Sequence, residues 1–251
     1  MKCGRKAIMW IALVLCLVCA VLLALALHSR AEHAKPASQD PEGAIAAQED
    51  EDRTVDVPVD FAAWQERNPD VYAWIEYPGT NVDYPIVQSA EDDAYYLRRD
   101  IDGKEAVAGS LYTEHTYNSK TFDDPVTVIY GHNMANRTMF GGLQSHIEAA
   151  DLASTEEYFY VYLPGRILTY RVVGGAPGDD AHILYYNDFS DPTGFSNYFG
   201  NLYAQSGGHV NLPGLLRPSP DDRVVILATC MNGEKYLRYL IIGVLTDDTA
   251  D

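Results

Sequence analysis

From Ala7 to Leu27 the chain runs 21 residues without a charge, so only part of its 251 residues can belong to a water-soluble fold. At about 1.5 Å rise per residue a helix of this length reaches about 30 Å, the thickness of a bilayer's hydrocarbon core. Lys2, Arg5 and Lys6 precede the run and all 36 acidic residues follow it. The basic flank predicts residues 1–6 on the cytoplasmic side and the remainder outside. A cleaved signal has a shorter apolar core, about 7–15 residues, and ends at a small-x-small site. Here the run ends Leu-Ala-Leu-His28-Ser-Arg30. An uncleaved signal-anchor over residues 7–27 is therefore the favoured reading, with a cleaved signal as the alternative. Cys16 and Cys19 follow the large Leu15 and Val18, poor lipoprotein sites, and read as lipid-buried and inert.

Residues 28–54, rich in Ala, Glu, Asp, Gln and Pro without an aromatic, cannot bury enough surface to fold and read as an acidic, flexible stalk. From residue 31 onward 14 basic residues face 36 acidic ones, with no Lys or Arg cluster. That balance argues against a nucleic-acid partner. It suits a cationic or amine-bearing partner, or plain solubility. The remaining residues, 55–251, suffice for one domain with a full core.

Within that domain the apolar pattern alternates in short stretches. Asp60 caps a short helix to Arg67 that Asn68-Pro69 stops. Strands are expected at Val71–Tyr77, Val82–Val87, Ala108–Thr113, Val126–Tyr130, Glu157–Leu163, Ile167–Gly174, Val224–Thr229 and Tyr236–Leu245. Helical pieces are expected at Glu91–Arg98 and Asp191–Gln205. The turns Pro78-Gly79, Pro164-Gly165 and Asn232-Gly233 separate neighbouring strands. Many short strands with few helices predict a mainly β fold, a closed or nearly closed barrel.

Outside the apolar N-terminus the chain has one cysteine, Cys230. In an oxidising compartment it has nothing to bridge to, so it is an inert packing residue or a working thiol. If Asn232-Gly233 closes a hairpin, Arg238 on the second strand lies near Cys230. A permanent cation there would lower the thiol's pKa and hold a developing oxyanion. The competing reading makes Arg238 a solvated residue paired with Glu234. A thiol nucleophile also needs a proton partner, and His132, behind Gly131 at a strand end, is placed best of the seven histidines. His115, His146, His182 and His209 lie in polar or loop contexts without a partner pattern and read as surface residues. His28 and His33 fall in the anchor and stalk. No histidine pair has zinc spacing, and a lone cysteine builds no cysteine-rich metal site.

Tyr130-Gly-His132-Asn-Met, Leu227-Ala-Thr229-Cys230 and Arg238 together resemble the sortase triad in family order. Asn68-Pro-Asp-Val-Tyr-Ala-Trp-Ile75, Asp83-Tyr-Pro-Ile-Val-Gln88, Asp93-Ala-Tyr-Tyr-Leu97 and Met139-Phe-Gly-Gly-Leu143 resemble class B in particular, over about residues 60–246. Ile226 departs from the family's T-L-x-T-C strand, whereas Thr229 is retained. The resemblance implies an eight-stranded sortase barrel with N-terminal helices and a helical insertion before the last two strands. It implies a membrane-anchored cysteine transpeptidase without metal or cofactor. Cys230 would be the nucleophile, His132 the general acid/base, and Arg238 the oxyanion stabiliser or substrate-positioning group. The partners implied are a C-terminal sorting-motif peptide and an amine of peptidoglycan or a pilin. A hydrolytic cysteine peptidase and a non-catalytic membrane-anchored binding module are the competing classes.

Overall fold

The last two apolar strands occupy the middle of a sheet that closes on itself. The structure, a computed structural model, describes residues 55–234 and 236–250. The expected cytoplasmic end, span and stalk over residues 1–54 lie outside the described residues. Among the described residues no helix is long and apolar enough to cross a membrane.

Eight strands form the barrel: β1 Val71–Tyr77, β2 Val82–Val87, β3 Leu111–Tyr112, β4 Val126–Tyr130, β5 Tyr158–Leu163, β6 Arg166–Asp179, β7 Val224–Cys230 and β8 Leu237–Asp248. Their order around it is β1-β2-β3-β4-β7-β8-β6-β5. The β2–β3 and β4–β7 pairs are parallel, and the remaining neighbours run antiparallel. Among the described residues four α-helices accompany the strands: α1 Phe61–Arg67, α2 Leu143–Ala149, α3 Ile183–Tyr186 and α4 Pro192–Tyr203. Asp60 caps α1 by accepting from the Ala63 amide, and Asp191 caps α4, which opens on Pro192.

Why β7 and β8 read as almost unbroken apolar runs is now plain. Val225, Leu227, Tyr239 and Ile241 point into the barrel, packing with Ile75, Phe159 and Tyr170. Val224, Ile226, Ala228, Leu240 and Ile242 point outward under the helical layer, against Phe195, Phe199 and Leu202 of α4. Both faces are buried, so the period-two alternation vanishes from the sequence. The outward set carries the even numbers. Cys230 and Arg238 therefore belong to the outer face, where the α4 layer ends.

Three expected segments depart most from the structure, while the last strand, expected to end at Leu245, runs to Asp248. The strand expected over Ala108–Thr113 shrinks to Leu111–Tyr112, because Gly109 adopts φ +55° and the Ser110 amide donates to the Tyr96 carbonyl instead of to a strand neighbour. The strand expected to end at Gly174 continues to Asp179, paired with β8 throughout. Gly174, Gly175 and Gly178 all lie within this strand. They make room for Leu212, Tyr239 and Leu240, whose atoms stand within 3.0 Å of where a Cβ would be. Of the helix expected over Glu91–Arg98 only the 3-10 turn Tyr95–Arg98 forms.

Candidate active site

Three neighbouring strands end at one place. In the parallel β4–β7 pair Tyr130 is opposite Ala228, and the Gly131 amide extends the ladder by donating to the Ala228 carbonyl at 3.1 Å. Two residues beyond that pair come His132, past the end of β4, and Cys230, the last residue of β7. In the antiparallel β7–β8 pair Cys230 is the direct partner of Arg238. His132, Cys230 and Arg238 all line one cavity of about 250 Å³. The thiol is free and exposed. No carboxylate lies within ion-pair distance of Arg238 among the described residues, so the Glu234 pairing is not formed. Among the described residues its guanidinium donates to the Leu237 carbonyl, at 3.3 Å.

The histidine's tautomer follows from its partner. His132 Nε2 lies 2.7 Å from the Leu97 carbonyl oxygen. A carbonyl can only accept, so Nε2 carries the hydrogen and Nδ1 is the nitrogen left for proton exchange. Leu97 lies on the 3-10 turn, across the cavity from β7.

Four histidines read as unpartnered surface residues have partners. His115 sits 2.6 Å from Asp93, His146 3.0 Å from Glu157, His182 3.1 Å from Glu114 and His209 2.8 Å from Glu148. Sequence gave no sign of these pairs because their members come from separate elements, as far as 68 residues apart for His182 and Glu114. His182 lines the same cavity as Cys230 and would rival His132 as a base. Its Nδ1, however, accepts the Tyr185 amide at 3.1 Å, capping α3. Its Nε2–H is directed at Glu114. Neither nitrogen of His182 has a lone pair to spare, whereas His132 has only Nε2 engaged, by the Leu97 carbonyl.

The far wall is aromatic and acidic. Tyr112 stacks on Tyr130 at 5.4 Å. Burial pushes the Tyr112 phenol up, Glu114 adds to this, and the positive charge of Arg238 opposes it. Burial also raises the Glu114 carboxyl, against the pull of His182 and the Tyr130 hydroxyl. The wall therefore has one carboxylate that is costly to ionise and phenols that stay neutral.

One residue of this site carried no signal of its role. Asn133 donates through Nδ2 to the Cys230 carbonyl at 2.8 Å and to Asn232 Oδ1 at 2.9 Å, tying the segment after His132 to the turn after Cys230. On the other side of that turn, the buried Gln144 of α2 accepts from the Asn232 amide at 3.0 Å. No group of three or more His, Cys, Asp or Glu among the described residues could hold a metal ion.

Comparison with known proteins decides the family. A curated sortase B of Listeria monocytogenes is 30% identical over 174 residues, covering 68% of this chain and 67% of that protein. The chain belongs to the sortase B family. Membership makes it a cysteine transpeptidase of the kind that anchors surface proteins. Staphylococcus aureus sortase B is 27% identical over 88 residues, 35% of each chain. No family model matches the sequence. Among solved structures, Clostridium perfringens sortase B superposes with a TM-score of 0.64 at 24% identity, covering 74% of this chain and all of that one. A Staphylococcus aureus sortase B–substrate complex gives 0.62 at 18% identity, over 74% of this chain and 84% of that one. At such identities these two structures speak for the barrel, and the curated relative speaks for the class.

Proposed function

We propose that this sortase B acts through Cys230 as nucleophile, His132 as general acid/base and Arg238 as oxyanion stabiliser, on the C-terminal sorting motif of exported proteins. The observation that supports this reading is that His132, Cys230 and Arg238 line one cavity, with Cys230 the register partner of Arg238. In the first half-reaction the Cys230 thiolate bonds to the carbonyl carbon of the motif. The carbonyl π electrons move to oxygen beside the Arg238 guanidinium. The C–N bond then breaks as protonated His132 gives its proton to the leaving amine, and a thioester remains on Cys230. In the second half-reaction an amine attacks that thioester, neutral His132 takes the surplus proton, and Cys230 leaves as thiolate. The enzyme returns to its starting state, and nothing outside the two substrates is consumed.

The acceptor amine belongs to peptidoglycan or to a pilin. The chain is held in the membrane by residues 7–27 with residues 55–251 outside. The solved sortase B structures with a substrate and with the compounds AAEK1 and AAEK2 support a peptide-sized partner for the same barrel.

The test is cleavage of sorting-motif peptides by the full chain in detergent, with mass spectrometry of the products. Cys230→Ala is expected to abolish cleavage in a folded protein. His132→Ala and Arg238→Ala are expected to lower turnover by about 10²-fold or more. Full activity in any of the three removes that residue's role. When an amine is added, an amide product is expected; acid as the sole product would make the enzyme a hydrolase.

A further inference from the structure

The carbonyl that fixes the His132 tautomer is itself held from outside the cavity. Leu97 lies on the short 3-10 turn Tyr95–Arg98, and nothing about one such turn makes its carbonyl direction rigid. The chain from Ala106 to Ser110 does that. The Ala106 amide donates to the Arg98 carbonyl at 2.9 Å and the Ser110 amide to the Tyr96 carbonyl at 3.1 Å. The Ser110 hydroxyl donates to the Arg99 carbonyl at 3.0 Å. Between these anchors Gly109 passes against the turn. A Cβ at this position would stand 2.6 Å from the Leu97 carbonyl oxygen and 2.7 Å from that of Tyr96, inside van der Waals contact with main chain that has no side-chain freedom to yield. Gly109 also holds φ +55°, a conformation side chains other than glycine's disfavour.

We propose that the Leu97 carbonyl orients His132 for proton transfer, and that Gly109 is the positioning residue that sets this carbonyl while touching no substrate. The proposal rests on the acid/base role of His132 given above. An imidazole can serve Cys230 and the amines only if one nitrogen is held and the other faces the reacting atoms. In many nucleophilic enzymes a carboxylate does the holding. Here the partner is a neutral acceptor 35 residues away in sequence, so its position depends on how the turn is packed. Moving that oxygen by the several tenths of an ångström that an added Cβ requires turns the ring, and misplacement by about 1 Å costs about 10²-fold in rate.

The test is Gly109→Ala in the full chain, paired with Gly165→Ala. Gly165, at the β5–β6 turn, has φ +71° with nothing within 4 Å of a Cβ. It therefore imposes comparable backbone strain without the contact. For Gly109→Ala we expect kcat for amide formation to fall by about 10- to 100-fold while KM for the peptide changes by less than about threefold. Nitrogen-15 spectra of the His132 ring should lose the signature of a single Nε2–H tautomer. Gly165→Ala is expected to keep both. An unaltered kcat and His132 spectrum in folded Gly109→Ala, or an equal loss of kcat in Gly165→Ala, overturns the proposal. Should Gly109→Ala fail to fold, an ester in place of the Leu97–Arg98 amide weakens the same carbonyl as an acceptor and leaves every side chain in place. It should reproduce the loss and the spectral change, and parent-like behaviour overturns the proposal equally. The ring spectrum reads the hydrogen bond without catalysis. An active His132→Ala variant would thus defeat the acid/base reading, and an unchanged spectrum would defeat this one.

Discussion

Cys230 owes its setting less to its own side chain than to Asn133. That amide bonds the Cys230 carbonyl and Asn232, so it fixes the strand end on which the thiol stands relative to the strand end that presents His132. Removing it leaves β4 and β7 paired up to Gly131 and frees what lies beyond. Asn133→Ala is expected to lower kcat about tenfold, with a stability loss of about 1–2 kcal/mol for two polar contacts on a half-exposed loop. Thermal melts and turnover measured on one preparation check both numbers; parent-like turnover would show that the strand ends hold themselves. His132 and Cys230 stood out in the sequence because each comes at the end of an apolar strand and carries reactive chemistry, and both line one cavity. Asn133 was not, because an asparagine in a loop is ordinary until its partner, 97 residues on, is known. His182 misled in the opposite direction. Its polar surroundings suggested solvent, yet it caps a helix and reaches a buried carboxylate.

Among the elements, β8 closes the barrel and a cluster of charges holds its end. Arg166 of β6 grips Asp248 through Nε at 2.8 Å and Nη2 at 2.6 Å. Arg223, just before β7, reaches the same carboxylate at 2.9 Å, and both arginines touch Asp123. The Asp248 side chain is only 2% exposed. Arg166 above all holds its carboxyl down, at about 2, against the cost of burial. A free aspartate titrates near 3.9. A depressed carboxyl adds stability that is complete above about pH 4 and is lost as pH falls through about 2. The shift corresponds to about 2–3 kcal/mol. Asp248→Asn should therefore unfold about 2–3 kcal/mol more easily at neutral pH in denaturant titrations, and the gap to the parent should close between about pH 4 and pH 2. A gap independent of pH would mean that packing, not charge, holds the strand end. None of this cluster was visible in the chain, since Asp123, Arg166, Arg223 and Asp248 meet only when the sheet closes. Strand bodies were visible because their apolar residues and turn signals are local. Their ends were not, as β6 shows by running five residues past its expected last residue, Gly174.

At the scale of the whole molecule, the order of strands turns a linear pattern into a site. Sequence offered short strands, a barrel and the β7–β8 hairpin; it could not give the parallel β4–β7 pairing, which brings the chain around residue 132 toward residue 230 across nearly half the domain. The same scale holds the question of why a sortase barrel should follow an apolar run and an acidic segment in one chain. If residues 7–27 are an anchor, tethering does not alter the chemistry at Cys230. It raises the concentration of acceptor and sorting substrate met by a cavity confined to the same surface, by a factor set by the reach of the stalk. Residues 55–251 alone should then cleave a soluble motif peptide at the rate of the full chain. On vesicles carrying a lipid-linked amine acceptor, the full chain should form amide about 10²- to 10⁴-fold faster than the truncated domain at equal concentration. Shortening the stalk by half should change that advantage while leaving soluble-peptide cleavage as it was. Equal rates on vesicles for the full chain and the domain would show that residues 1–54 contribute no tether.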